Sequence, residues 1–204
     1  INMVGLKDFD ALDLISSTAE KLSAGEIMQI EKSLTRNMPK NVYYDMINQK
    51  TASLIAASCE LGAITTTKVS TDRKSTFDYG ENLGMAFQIK DDLFDFLGSE
   101  NQTGKDHGGD VKKNMLTLPL IYSIENASRT GRNRIKSLVR KKKKSVKILK
   151  EINDIIYDSG GFDYAKKKLD EFSDKATDSI SSYAESEIKK SLIDLVIFNK
   201  ERVR

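Results

Sequence analysis

Phe87-Gln88-Ile89-Lys90-Asp91-Asp92-Leu93-Phe94-Asp95-Phe96 decides how this chain is read. At about 100° per residue, Asp91, Asp92 and Asp95 fall within one narrow wedge of a helix surface, and Gln88 joins it from one turn earlier. Phe87, Ile89, Leu93, Phe94 and Phe96 make most of the remaining circumference apolar. A helix buried that widely is not acidic on its last side unless that side lines a polar cavity. Three neighbouring carboxylates repel one another, so the pattern calls for a positive partner. Mg²⁺ fits, because it takes one or two carboxylates and completes its shell with phosphate oxygens. The duller reading is a solvated acidic face, and the flanking aromatic residues argue against it.

Working outward, the pattern predicts a long helix from about Thr71 to Phe96, with Glu81 and Gly84 on the aspartate face. A second long helix is expected from Tyr43 to Gly62, its inner stripe formed by Tyr43, Met46, Ile47, Lys50, Leu54, Ala57, Ser58 and Leu61. Upstream, Phe9, Leu12, Ile15, Ala19 and Leu22 recur at helical spacing. Ser23-Ala24-Gly25-Glu26 has the form of a capping box that starts a new helix at Gly25. Downstream, Gly98 to Gly109 reads as a glycine-rich loop, and Pro119 suits the first turn of the next helix. Arg140 to Lys144 reads as a solvated helix end or loop. The segment after Ser145 is amphipathic helix broken at Gly160-Gly161, with Leu169, Phe172, Ala176, Ile180, Tyr183 and Ile188 as its apolar side. No strand-period alternation appears, so the fold class is all-α, a bundle of long helices.

Composition sets the outer limits. The chain has 204 residues, 39% hydrophobic and 31% charged, with two prolines and a net charge of +3. That net charge is too small to argue for nucleic acid or an anionic membrane surface as a partner. The single cysteine, Cys59, forms no internal disulfide and reads as a small core residue, which suits a reducing, cytoplasmic setting. No apolar run approaches the ~20 residues of a membrane span. The first residues already resemble a domain interior, so an upstream portion is expected.

Other candidates carry two readings. Lys50 is the one full charge on its stripe: either its stem packs while the ammonium reaches water, or it holds a phosphate, with Thr51 donating a hydroxyl beside it. Lys105 is either a surface lysine or part of a lid over a diphosphate; its loop lacks the Walker A spacing. His107, the only histidine, has no partners at zinc spacing and reads as a loop residue.

Together these segments resemble the trans-type (E-type) polyprenyl diphosphate synthases, closest to the octaprenyl and heptaprenyl type. Gly84-Met-Ala-Phe-Gln-Ile-Lys-Asp-Asp-Leu-Phe-Asp95 is similar to the second aspartate-rich motif of that family, and Gly104-Lys105, Asp110 and Thr117-Leu118-Pro119-Leu120 to the segment after it. Lys50-Thr51-Ala52 resembles the Lys-Thr element and Gly25-Glu26-Ile27-Met28-Gln29 the earlier Gly-Glu helix. The resemblance implies an isoprenoid synthase fold of long, mostly antiparallel helices around a central cavity, usually in a homodimer. It also implies head-to-tail condensation, in which an allylic diphosphate ionises and isopentenyl diphosphate attacks the resulting cation. Carried onto this chain, Asp91, Asp92 and Asp95 contribute to Mg²⁺ binding. Lys50, Thr51, Gln88 and Asp91 act in catalysis, and Gln29, Lys50, Thr51, Phe87, Gln88 and Lys105 bind substrate. One departure is Met115, where the family has a lysine. Another is the first aspartate-rich motif, expected upstream of Ile1, so that residues 1–204 make one polyprenyl synthase domain without its N-terminal portion. The alternatives are a non-catalytic subunit of a heteromeric synthase and, further off, a terpene cyclase.

Overall fold

The computed structural model describes residues 8–97 and 109–202. Lys105 and His107, with most of the glycine-rich loop, lie outside them. The described residues form helices and connecting turns, with no strand among them.

Helix α1 runs Phe9–Thr35 without interruption. Asp8 caps its start by accepting a hydrogen bond from the Ala11 amide at 3.2 Å, and Arg36, in the left-handed region at φ 51°, ends it. The expected helix start at Gly25 is therefore corrected. The Ser23 hydroxyl donates to the Ala19 carbonyl at 2.9 Å and so does not cap a new helix. Gly25 is where α1 touches its neighbour: a Cβ there would stand 2.5 Å from the Lys50 amide nitrogen. Ala11, Thr18 and Gly25, seven residues apart, form the buried seam, whereas Phe9 and Ile15 from the expected stripe are exposed.

The next rod comprises α2 (Lys40–Ile47), a π-helical turn (Asn48–Ala52) and α3 (Ser53–Ile64). The wider turn rotates the buried face by about one residue. Tyr43, Met46 and Ile47 are buried as expected, but beyond the turn the buried residues are Ala52, Ser53, Ala56 and Ala57, while Leu54 and Ser58 face outward.

Helix α4 (Ser70–Leu97) is the axis of the molecule, with α3 packed on one flank and the later helix α9 on another. Gly80 and Gly84 permit the α3 contact, since a Cβ at Gly84 would lie 2.5 Å from the Ala52 Cα. A short helix α5 (Gly109–Lys112) leads through Asn114, at φ 62°, to α6 (Leu118–Asn126), whose first turn holds Pro119. Helices α7 (Arg129–Arg140) and α8 (Val146–Asp158) cover α6. Gly160, at φ 75°, separates α8 from α9 (Gly161–Ser179), and α10 (Glu187–Glu201) follows.

One apolar cluster joins Met38, Tyr43, Ile89, Leu93, Leu118, Ile135, Ile152 and Leu169, and a smaller one joins Tyr79, Leu83, Ala176, Ile180 and Val196. Ile188 departs from expectation, being 76% exposed. Its neighbour Lys189 turns inward instead, donating to the Ser181 and Tyr183 carbonyls left open after α9 ends, at 3.0 and 2.7 Å.

Candidate active site

A cavity of about 790 Å³ opens between α1, α2, the π-helical turn, α4 and the segment 109–117. Its wall brings together Gln29, Lys50, Gln88, Asp91, Asp92 and Asp95, six of the residues singled out in the sequence. Asp110, Lys112, Lys113, Met115 and Arg202 also line it. Thr51 and Phe87 are not on it. Phe87 turns its ring beneath the Arg202 guanidinium, 4.3 Å from centroid to carbon.

The three aspartates occupy three environments. Asp92 is buried, 4% exposed, and both of its carboxylate oxygens are engaged. Tyr43 donates its hydroxyl to Oδ2 at 2.7 Å, and Gln88 donates its amide to Oδ1 at 3.0 Å. Gln88 in turn accepts the Thr51 hydroxyl at 2.7 Å, so Thr51, Gln88, Asp92 and Tyr43 form one chain of hydrogen bonds. Burial pushes the Asp92 carboxyl up to about 7, against the opposing effect of its two donors, and the charges of Asp110 and Asp91 add to the rise. Asp95 accepts the Asp110 amide at 3.2 and 3.1 Å. Burial, and then the Asp110 charge, raise it to about 6. Asp91 is the most open of the three and pairs with Arg202 at 2.6 Å.

Lys50 comes into position because the π-helical turn brings its ammonium to Gln29, with Glu26 at 3.2 Å. The Gln29 amide donates to the Met115 sulfur at 3.0 Å. The thioether at 115 thus acts as a weak acceptor at a place where the expected lysine would bring a further donor and a charge.

Among the described residues, no group of three or more acidic, histidine or cysteine side chains is placed to hold a metal ion by itself. The donor set still fits a hard divalent ion. Asp91, Asp95 and Asp110 line one cavity and are oxygen donors, and the Asp110 charge adds to the rise that burial causes in the Asp92 and Asp95 carboxyls. An open, partial carboxylate set suits an ion that keeps phosphate or water as its other ligands.

The chain is similar to known proteins in sequence and fold. The sequence pattern of the Polyprenyl synthetase family matches residues 2–156. The chain belongs to that family. It is 30% identical over 202 residues to solanesyl diphosphate synthase 1, chloroplastic, of Arabidopsis thaliana, covering 98% of the chain and 48% of that protein. It is 38% identical over 116 residues to heptaprenyl diphosphate synthase component 2 of Geobacillus stearothermophilus, covering 57% of the chain and 36% of that protein. The chain therefore spans about half the length, or less, of these curated relatives. Its fold matches the polyprenyl synthase from Caulobacter crescentus complexed with calcium and isoprenyl diphosphate, at a TM-score of 0.90 and 27% identity. That match covers 99% of the chain and 62% of the other. The isoprenoid synthase fold is thus as expected from the sequence, and the relatives named here include solanesyl and heptaprenyl diphosphate synthases. No helix among the described residues is long and apolar enough to cross a membrane.

Arg202, Tyr43 and Asp110 are the site residues that motif reading undervalued. Tyr43 read as core, and Asp110 entered only through the resemblance. Arg202 carries no local signal, because its partner Asp91 is 111 residues away in sequence.

Proposed function

We propose that the whole protein condenses isopentenyl diphosphate head-to-tail onto an allylic diphosphate, such as farnesyl or geranyl diphosphate, to make a long-chain polyprenyl diphosphate. The observation that carries this reading is one cavity lined by Asp91, Asp95 and Asp110 and by Lys50, Lys112 and Lys113. In this reading Asp91 and Asp95, with Asp110 beside them, hold Mg²⁺. Bound there, the ion neutralises charge on the departing diphosphate. Lys50 binds a diphosphate oxygen, and Lys105 is proposed to do so from its loop. In this reading Asp92 stays off the metal: its oxygens accept from Tyr43 and Gln88, and Thr51, which lies off the wall, acts on the reacting centre through its hydrogen bond to Gln88. Met46, Ile47 and Leu116 supply apolar wall that keeps water from the reacting carbon. The calcium and isoprenyl diphosphate in the Caulobacter structure's description support the same pairing of hard cation and diphosphate.

The test is a full-length protein given farnesyl diphosphate, isopentenyl diphosphate and Mg²⁺. Longer prenyl diphosphates are expected, and Asp91→Ala should lose about a hundredfold or more of the rate. Near-normal turnover by the variant contradicts the assignment.

Met115 and the relative described as component 2 favour one second reading, a subunit that works only with a partner chain rather than as a homodimer. A protein inactive alone but active with a co-purified partner chain would establish it. None of the relatives named above is a terpene cyclase.

A further inference from the structure

Between Arg129 and Lys150 the chain holds eleven lysines and arginines and no acidic residue, whereas the remainder, with the other 22 basic and all 30 acidic residues, is net −8. The modest overall charge therefore conceals a sharp division, and the argument from net charge against an anionic surface does not hold locally. The fold makes the division spatial. Ile135, Leu138 and Val139 anchor α7 in the core, which leaves Arg129, Lys136 and Arg140 in water. Arg134 binds the Glu151 carboxylate on α8 with two nitrogens, at 2.5 and 2.8 Å, and Lys141 and Lys147 also act on that carboxylate. Three basic residues thus act on one carboxylate.

The patch reaches the rim of the cavity. Lys144 donates to the Asn114 side chain at 2.8 Å, and Asn114 sits between the wall residues Lys113 and Met115. Arg36, at the end of α1, donates to the Arg140 carbonyl at 3.2 Å. Apolar groups stand on the same exposed ground: Val146 is 84% exposed directly after the lysine run, and Tyr157, 77% exposed, shares its face of α8 with Lys150.

We propose that this α7–α8 surface docks the protein on an anionic lipid bilayer, with the lysine-flanked rim of the cavity against the headgroups. Charge complementarity carries the choice of partner, since basic clusters of this density are held by the negative potential of such surfaces. Lysine stems and flanking apolar side chains suit a headgroup layer, where stems lie along apolar ground and ammonium groups stay wet. A nucleic acid fits less well, because the basic run from 129 to 150 holds no aromatic residue and Tyr157 beside it offers one ring where successive bases need several. The purpose rests on the proposed function: a long prenyl diphosphate is itself a lipid with an anionic head. The surface does not depend on that reading.

The experiment is co-sedimentation of the full-length protein, without substrates, on phosphatidylcholine vesicles with or without roughly 30% phosphatidylserine. Binding is expected on the anionic vesicles alone, and should vanish at about 1 M salt, where screening is nearly complete. The triple variant Lys141→Glu, Lys142→Glu, Lys143→Glu is expected to bind about tenfold more weakly or worse, with unchanged melting temperature. Absence of binding, equal binding to neutral vesicles, binding that survives the charge reversal, or tighter binding to single-stranded RNA than to the vesicles would each overturn the proposal. Condensation of soluble substrates, measured separately, reports on the proposed function, so the two can fail independently.

Discussion

The Arg202 guanidinium caps Asp91 from across the fold, 2.6 Å from its carboxylate, while also lying over the Phe87 ring and donating to the Phe87 carbonyl at 3.2 Å. The most open carboxylate of the acidic wedge is thereby joined to the residue just beyond α10. An arginine there neutralises one charge of the cluster.

In the proposed function, a metal bound at Asp91 has to displace that ion pair. Arg202→Ala is expected to tighten Mn²⁺ binding about three- to tenfold in the absence of substrate, the range for a partly exposed charge-assisted pair. Titration calorimetry on the full-length protein reads this directly. Weaker or unchanged affinity would show that Arg202 supports the metal site or is irrelevant to it.

Asp92 and Asp95 give the metal-free protein a specific pH dependence. Both carboxyls are raised in the folded state, to about 7 and about 6, from a usual 3.8. The folded protein therefore keeps protons that the unfolded chain has released. Their contribution to stability is fully present below pH ~4, is lost as pH rises through 6 to 7, and is absent above that. Asp92→Asn retains an acceptor for Tyr43 and removes the buried charge. It should flatten the fall and raise stability at pH 8 by about 1–3 kcal/mol, with no gain near pH 4. Urea denaturation with chelator across this range is the measurement, and a wild-type stability that rises from pH 5 to 8 contradicts it.

Two glycines of the α3–α4 pair should respond in opposite directions. Alanine gains roughly 1 kcal/mol over glycine in a helix interior. At Gly62 nothing lies within 4 Å of a new Cβ, so Gly62→Ala should show that gain. At Gly84 the Cβ would meet the Ala52 Cα at 2.5 Å, a backbone contact that cannot rotate away. Overpacking there costs about 1–3 kcal/mol and outweighs propensity. Gly84→Ala is expected to lower the urea midpoint and Gly62→Ala to raise it. The same sign for both would undo the close-approach account.

Period and composition carried most of the fold. The α4 pattern was readable because Phe87, Ile89, Leu93 and Phe96 leave only one polar side, and its bounds, Ser70–Leu97, differ from the expected Thr71–Phe96 by one residue at each end. What periodicity misplaced has local causes. The π-helical turn at 48–52 leaves no trace in a 3.6-residue pattern, yet it moves Leu54 outward and Ala52 inward. Ser23-x-x-Glu26 matches a cap in sequence, but Gly25 is fixed by its contact with Lys50, a neighbour that sequence does not show. Within the site, the residue types were legible and their duties were not. Asp91 and Asp92 are adjacent and chemically identical, and only the fold turns one toward Arg202 and the other toward Tyr43.

The central claim is that Asp91 and Asp95 grip a divalent ion against a diphosphate. Anomalous scattering from crystals of the full-length protein grown with Mn²⁺ and an allylic diphosphate analogue tests it most directly. The account predicts a manganese peak coordinated by Asp91, with Arg202 displaced from it and Asp92 still bonded to Tyr43. A map with no manganese in this cavity, and Arg202 still paired with Asp91 beside a bound analogue, would contradict it.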